Sequence, residues 1–172
     1  MYKDIGRSIW KGMSETQKFL LLVLILGITS LVVIQVFLRY VLRHPLMGIE
    51  EMLIFPVIWL YFLGAANASQ ERSQIQAQVI EQFLRQPKAI YVSKITRVAI
   101  ALGIATWLTY WAYDYLTYSI HAAKLSSTLY WPLVYAECAV FFGFLLMTIY
   151  AIVELADHMI QFLHVLKNGK ET

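Results

Sequence analysis

The chain has 172 residues, of which 59% are hydrophobic and only 15% are charged, and its net charge at pH 7 is +3. Soluble domains are usually about half apolar and a quarter charged, so this composition argues against a soluble globular protein. The sequence has no basic stripe and no nucleic-acid-binding motif, so we expect no nucleic acid partner.

The apolar residues are gathered in four blocks, at 19–38, 52–68, 98–119 and 131–153. Each block approaches the length of about 20 residues that a helix needs to cross a bilayer core of roughly 30 Å. The blocks are apolar on all sides, whereas membrane β-strands alternate apolar and polar residues. We therefore predict an all-α integral membrane protein, with four transmembrane helices in a single domain over residues 1–172.

The positive charges predict how these helices are oriented. Of the 14 Lys and Arg residues, 11 lie in the N-terminal segment, in the connection between the second and third blocks, and in the C-terminal tail. By the positive-inside rule, both termini are expected in the cytoplasm. Four aromatic residues near the outer ends of the last two blocks are then expected at the lipid headgroup level: Tyr110, Trp111, Tyr118 and Trp131.

Two segments outside the blocks show a helical period. Residues 2–13 repeat Tyr2, Ile5, Ile9 and Met13, and residues 71–86 carry an apolar stripe opposite glutamines and charges. Both segments are expected to form amphipathic helices that lie on the membrane surface. The alternative is a polar loop with a chance period.

Polar residues within the blocks require a partner or a purpose. Glu137 is the main one, and it is interpreted either as a proton or cation site or as a contact between helices. Arg39 can reach inward at a similar depth, so we hypothesise an Arg39–Glu137 contact. Small residues at Gly64, Ala65 and Ala68 permit close packing of helices.

The connection between the first two blocks gathers charge on the side that has few positive residues. Arg39 ends the first block, and Glu50 and Glu51 open the second. One interpretation is an ion-pair clamp that joins the two helices, and the other is a docking surface for a partner protein.

Little in the sequence supports enzymatic chemistry. None of the four histidines lies in the middle of a block, the single cysteine is Cys138, and no nucleophile or phosphate-loop motif occurs. We therefore predict no catalytic residue, no metal site and no cofactor, and a membrane oxidoreductase is disfavoured.

The order of short motifs resembles a known family. Phe-x-Arg-Tyr (37–40) ends the first block, Gly48 and the pair Glu50–Glu51 open the second, and Trp59 and Leu-Gly-Ala-Ala (63–66) follow. This order is similar to the small membrane subunit (DctQ/SiaQ-like) of tripartite ATP-independent periplasmic (TRAP) transporters. The sequence departs from the family pattern at 73–79, which is rich in glutamine, and at Glu137, where the family is often apolar.

The resemblance implies a non-catalytic subunit of a sodium-coupled importer in the bacterial inner membrane. Its expected partners are a large membrane subunit in an obligate heterodimer, a periplasmic substrate-binding protein and membrane lipids. The small subunit would brace the large one, and the imported organic acid would be a C4-dicarboxylate or a sialic acid. Residues expected in structural or subunit contacts are Arg39, Tyr40, Glu50, Glu51, Gly64, Ala65, Ala68 and Glu137. The alternative is a self-sufficient, cation-coupled transporter that acts as a dimer and uses Glu137.

Overall fold

The computed structural model of the chain describes residues 2–43, 48–72 and 87–168. The backbone in these ranges forms four α-helices: α1 (Tyr2–Tyr40), α2 (Gly48–Gln70), α3 (Pro87–Ala122) and α4 (Val134–Asn168). All four are long and apolar enough to cross a membrane. They confirm the predicted all-α, four-span architecture.

The helix bounds differ from the predicted spans at several points. Residues 2–13, predicted as a separate surface helix, continue without a break into α1, because no proline separates the two segments. The fourth helix begins at Val134 rather than at residue 131, since the residues before it form a closed turn. Most of the second amphipathic segment, residues 73–86, lies outside the described residues.

The helices pack in a row. The main contacts join α1 to α2, α2 to α4, and α4 to α3, so that α2 and α4 are the inner members and α1 and α3 the outer ones. The inner helices α2 and α4 run parallel, since α2 contacts successive turns of α4 in the same order along both helices. An open row of this kind leaves most of the apolar side-chain surface on the outside.

The tightest contact between α2 and α4 is at Gly143. A Cβ atom added there would lie 2.6 Å from Cβ of Phe62. The Phe62 ring packs edge-on against Phe144, with ring centroids 5.5 Å apart. At Gly64 an added Cβ would meet only Leu21, at an ordinary 3.9 Å. The glycine that brings two helices close together is therefore Gly143, which the sequence motifs did not single out.

The outer helix α3 is held to α4 by polar as well as apolar contacts. The hydroxyls of Thr109 and Thr148 are 2.9 Å apart in the interface. One turn further along α3, the rings of Tyr113 and Phe141 lie 5.9 Å apart. Hydrogen bonds between hydroxyls help helices to associate in a membrane, because lipid covers apolar surface as well as another helix does.

Candidate functional site: the polar clamps of α2

A carboxylate near the start of α2 holds the loop between α3 and α4. Glu51 accepts hydrogen bonds from the backbone amides of Thr128 and Leu129, each at 3.0 Å, and from the hydroxyls of Thr128 (2.8 Å) and Ser127 (3.1 Å). It also accepts one from the hydroxyl of Ser126. Hydrogen bonds to an ionised acceptor are stronger than neutral ones, so this contact fixes the loop firmly to α2. We call Glu51 and residues 126–129 the N-terminal clamp.

The loop has a specific conformation that suits this contact. The loop closes on itself at an isolated antiparallel bridge between Leu125 and Pro132, and the amide of Ser126 donates to the carbonyl of Trp131 at 2.9 Å. Ala123 and Tyr130 have φ angles of 44° and 55°, in the left-handed region that residues other than glycine rarely adopt. Such backbone angles persist only where surrounding contacts fix them, and the hydrogen bonds to Glu51 provide contacts of this kind.

Glu50 joins α2 to α1. Its carboxylate accepts a hydrogen bond from the side-chain amide of Gln35 at 3.0 Å. One of the two interpretations of the sequence paired Arg39 with Glu50 and Glu51, but in the structure the partner of Glu50 is Gln35. The guanidinium carbon of Arg39 instead lies 5.9 Å from the centre of the Tyr40 ring. A polar contact does join α1 and α2 here, but its donor is the amide of Gln35 rather than an arginine.

Glu137 links α4 to α3. Its carboxylate accepts hydrogen bonds from the hydroxyl of Tyr115, at 2.7 Å, and from that of Ser119, which is fully buried. The hypothesised Arg39–Glu137 contact is therefore wrong. The physical reason is the order of the row, because Arg39 lies on α1 and the Glu137 carboxylate is bound by the outer helix α3.

Three consecutive residues hold the other end of α2. The side-chain amide of Gln70 donates to the carbonyl of Trp10 at 3.1 Å, and Glu71 forms an ion pair with Lys18 at 2.7 Å. Arg72 forms an ion pair with Asp157 on α4. We call these three contacts the C-terminal clamp, and it ties α2 to both of its neighbours. No pattern in the sequence predicts this clamp, because the partners lie 53 to 85 positions apart.

Aromatic residues extend the C-terminal clamp into the interior. Trp10 packs edge-on against Tyr150, with ring centroids 5.2 Å apart, and Tyr150 is only 2% exposed. Gln17 and Gln70, at 8% and 5% exposed, are buried in the same region. Trp59 makes a similar link half-way along α2, where its ring N–H donates to the carbonyl of Tyr135 at 2.9 Å.

The remaining predicted residues lie on the outside of the row or in ordinary contacts. Tyr40 is 71% exposed, and Ala65 is exposed while Gly64 and Ala68 are half-buried. The four aromatic residues predicted at the headgroup level, Tyr110, Trp111, Tyr118 and Trp131, are 47% to 70% exposed. Their depth in a bilayer stays a prediction, as do the roles of the small residues in subunit contacts.

The described side chains hold no group of three or more metal-ligating residues. The nearest arrangement is on α4, where His158 and Glu154 are 3.6 Å apart and Asp157 is occupied by Arg72. Sequence reasoning identified Glu50 and Glu51 but missed their partners, although the run Ser-Ser-Thr at 126–128 offered a signal as a source of clustered donors.

Comparison with known proteins identifies the family. Residues 28–160 match the family described as tripartite ATP-independent periplasmic transporters, DctQ component. A comparison with curated proteins finds no match. The matched segment covers more than half of the chain, including all of α2 and α3, the loop held by Glu51, and most of α4. The chain therefore belongs to the DctQ component family of tripartite ATP-independent periplasmic transporters.

Proposed function

We propose that this chain is a non-catalytic small subunit that braces the large membrane subunit of a sodium-coupled importer. The importer would take up an organic acid, of the C4-dicarboxylate or sialic acid class, that a periplasmic binding protein delivers. The chain would reside in a bacterial inner membrane with both termini in the cytoplasm. Family membership supports a role within a tripartite transport system.

The bracing role is supported by the contacts that the acidic side chains near the two ends of α2 make with other parts of the chain. Glu51 is occupied by the loop before α4, Glu50 by Gln35, and Glu71 by Lys18. Each contact joins α2 to another part of the chain. A subunit whose charged groups hold its own helices in place is suited to act as a fixed support.

Glu137 has a second possible role, because a lone membrane glutamate is also the coupling site of some small transporters. Here its carboxylate is bound by Tyr115 and Ser119 between two packed helices. These hydrogen bonds favour a role in holding α3 to α4 over a role in coupling. We therefore expect Glu137→Gln, which keeps an acceptor oxygen, to leave uptake by the whole transporter within about twofold of the wild type, whereas Glu137→Ala lowers its stability.

The test is reconstitution with and without the other components. The chain is expressed alone and together with the large membrane subunit of the proposed transporter, purified in detergent and placed in vesicles. We expect the large subunit to co-purify, and sodium-dependent uptake to require both subunits and the binding protein. Uptake by this chain alone, abolished by Glu137→Gln, would refute the bracing role and support the dimeric transporter.

A further inference from the structure

The outer helix α3 carries a distinctive stripe on the side that faces away from α4. The residues at this face recur every three or four positions and are all exposed: Ile100, Ile104, Trp107, Trp111, Asp114 and Tyr118. The opposite face of α3, with Ala112 and Ser119, is buried against α4. We call the six exposed residues the α3 stripe.

Two members of the α3 stripe, Asp114 and Trp107, lie well inside α3. Asp114 is eight residues before Ala122, the end of α3, which is about 12 Å along the helix axis. The preceding residue, Tyr113, packs against Phe141, and Phe142 stacks on Trp59 near the middle of the 23-residue helix α2. Trp107 lies deeper still, about 22 Å from Ala122. Asp114 and Trp107 therefore lie about two and four turns inside the segment Ile90–Ala122, which is long and apolar enough to cross a membrane.

One charged group on the stripe, the carboxylate of Asp114, lacks a partner within the part of the chain that the structure describes, whereas Nζ of Lys124 lies 4.9 Å from the centre of the Tyr118 ring. Only the backbone carbonyl of Asp114 is engaged, by the hydroxyl of Thr117 at 2.7 Å, and its carboxylate has neither a hydrogen bond nor an ion pair. The rings of Trp107 and Trp111 contact each other, with centroids 6.4 Å apart. Lipid tails have no hydrogen-bond donor and no positive charge for an ionised carboxylate. Ionisable residues within membrane spans almost always face a polar partner or a water-filled cavity.

The other outer helix provides a contrast. Between residues 19 and 38, the exposed side chains of α1 other than Thr29 and Ser30 are aliphatic or phenylalanine, among them Leu22, Val33 and Phe37. The hydroxyls of Thr29 and Ser30 are satisfied by carbonyls of their own helix, at 2.8 Å each. Lipid alone can cover this face without leaving a polar group unsatisfied. The two outer helices therefore differ in what their exposed faces require.

We propose that the α3 stripe is the surface through which this chain binds the large membrane subunit, and that a cationic or hydrogen-bond-donating side chain of that subunit faces Asp114. The inference rests on the proposed function for the identity of the partner. Gly103, beside the stripe, has no atom within 4 Å of an added Cβ, which leaves room for a close approach by a partner helix.

A second copy of this chain fits the stripe less well. Two copies in one membrane share the same orientation, so a symmetric contact would bring residues of equal depth together. The two Asp114 carboxylates would then face each other in a medium of low dielectric constant, where like charges repel strongly. A different subunit with a complementary charge has no such conflict.

Photo-crosslinking in the assembled transporter tests the surface. A benzoylphenylalanine is introduced at Trp111, and in a matched variant at Val33 on α1, with the large subunit co-expressed and each complex isolated through a tag on the large subunit. We expect an adduct of this chain with the large subunit from position 111 and none from position 33. The inference is overturned if the complex copurifies but the adduct with the large subunit forms from position 33 only, from both positions or from neither. It is also overturned if position 111 gives an adduct between two copies of this chain. These results would leave the bracing role intact.

Substitutions of Asp114 test the chemistry of the contact. Asp114→Lys is expected to reduce the yield of co-purified large subunit at least tenfold, and Asp114→Asn to reduce it less. The yield of this chain alone, measured in parallel, separates a lost contact from a failure to fold. A wild-type yield of complex with Asp114→Lys overturns the assigned contact, and failure of the wild-type chain to co-purify overturns the proposed function itself.

Discussion

At the scale of single residues, Glu51 illustrates how one carboxylate can organise a loop. Its two oxygens accept from donors of four consecutive residues, Ser126 to Leu129, and two of those donors are backbone amides. A glutamine at this position has one acceptor oxygen and would turn an NH₂ group toward some of the same donors. The loss of acceptors leaves buried or half-buried donors unsatisfied, which is costly in a folded protein.

We therefore predict that Glu51→Gln lowers the melting temperature of the purified chain by several degrees and speeds hydrogen exchange at the amides of Thr128 and Leu129. Hydrogen–deuterium exchange with mass spectrometry measures the loop directly. Glu50→Gln is the matched control, because its one acceptor role, toward Gln35 at 3.0 Å, survives in an amide. Equal effects of the two substitutions on the loop would contradict the N-terminal clamp.

Gly143 provides a second prediction at this scale. A methyl group there would lie 2.6 Å from Cβ of Phe62, an atom next to the backbone that cannot rotate out of the way. We expect Gly143→Ala to push α2 and α4 apart and to destabilise the chain by about 1–3 kcal/mol, the usual cost of overpacking. Thermal unfolding followed by tryptophan fluorescence measures the change.

The control for this substitution is Gly27→Ala on α1, where an added Cβ meets nothing within 4 Å. Alanine favours a helix over glycine, so this variant should be as stable as the wild type or slightly more so. If Gly143→Ala proved as harmless as Gly27→Ala, the close approach of α2 to α4 at this point would not exist in the protein.

At the scale of elements, α2 is attached at both ends and in the middle to its neighbours. The C-terminal clamp includes the ion pair between Arg72 and Asp157, whose side chains are 39% and 48% exposed. Exposed ion pairs are usually worth at most about 1 kcal/mol, so the pair serves more to fix the position of the helix end than to stabilise the fold.

A charge swap tests that interpretation. Arg72→Asp places two acidic residues together and should lower the melting temperature, and adding Asp157→Arg to the same chain should restore most of the loss, since the pair is formed again in reverse. The recovery should weaken at high salt because exposed charges are screened. A double variant no more stable than Arg72→Asp alone would show that the two residues do not interact.

At the scale of the whole molecule, the helices were predictable and their arrangement was not. Long apolar blocks determine four spans because a membrane requires them. The order of the row depends on contacts between distant residues, such as Gly143 with Phe62 and Glu51 with Ser126, for which the sequence carries no period. Arg39 was assigned the wrong partner for the same reason: matching charges in sequence cannot tell which helix faces which.

The open row leads to a prediction about motion. The outer helices α1 and α3 each pack mainly on one inner helix, so the distance between them depends on all three helix–helix interfaces of the row. The distance between α2 and α4 depends on the central interface alone. Movements at the two additional interfaces therefore add to the variation of the α1–α3 distance. In a chain with Cys138→Ala, spin labels at Ser30 and Thr106 should therefore give a broader distance distribution than labels at Tyr61 and Ile149 on the inner helices. Pulsed electron paramagnetic resonance in detergent measures both pairs. Addition of the large subunit should narrow the distance distribution between α1 and α3, because a partner bound along the row restrains its ends. Equal widths for the two pairs of labels in the isolated chain would contradict this prediction and would mean that the row is as rigid as a closed bundle.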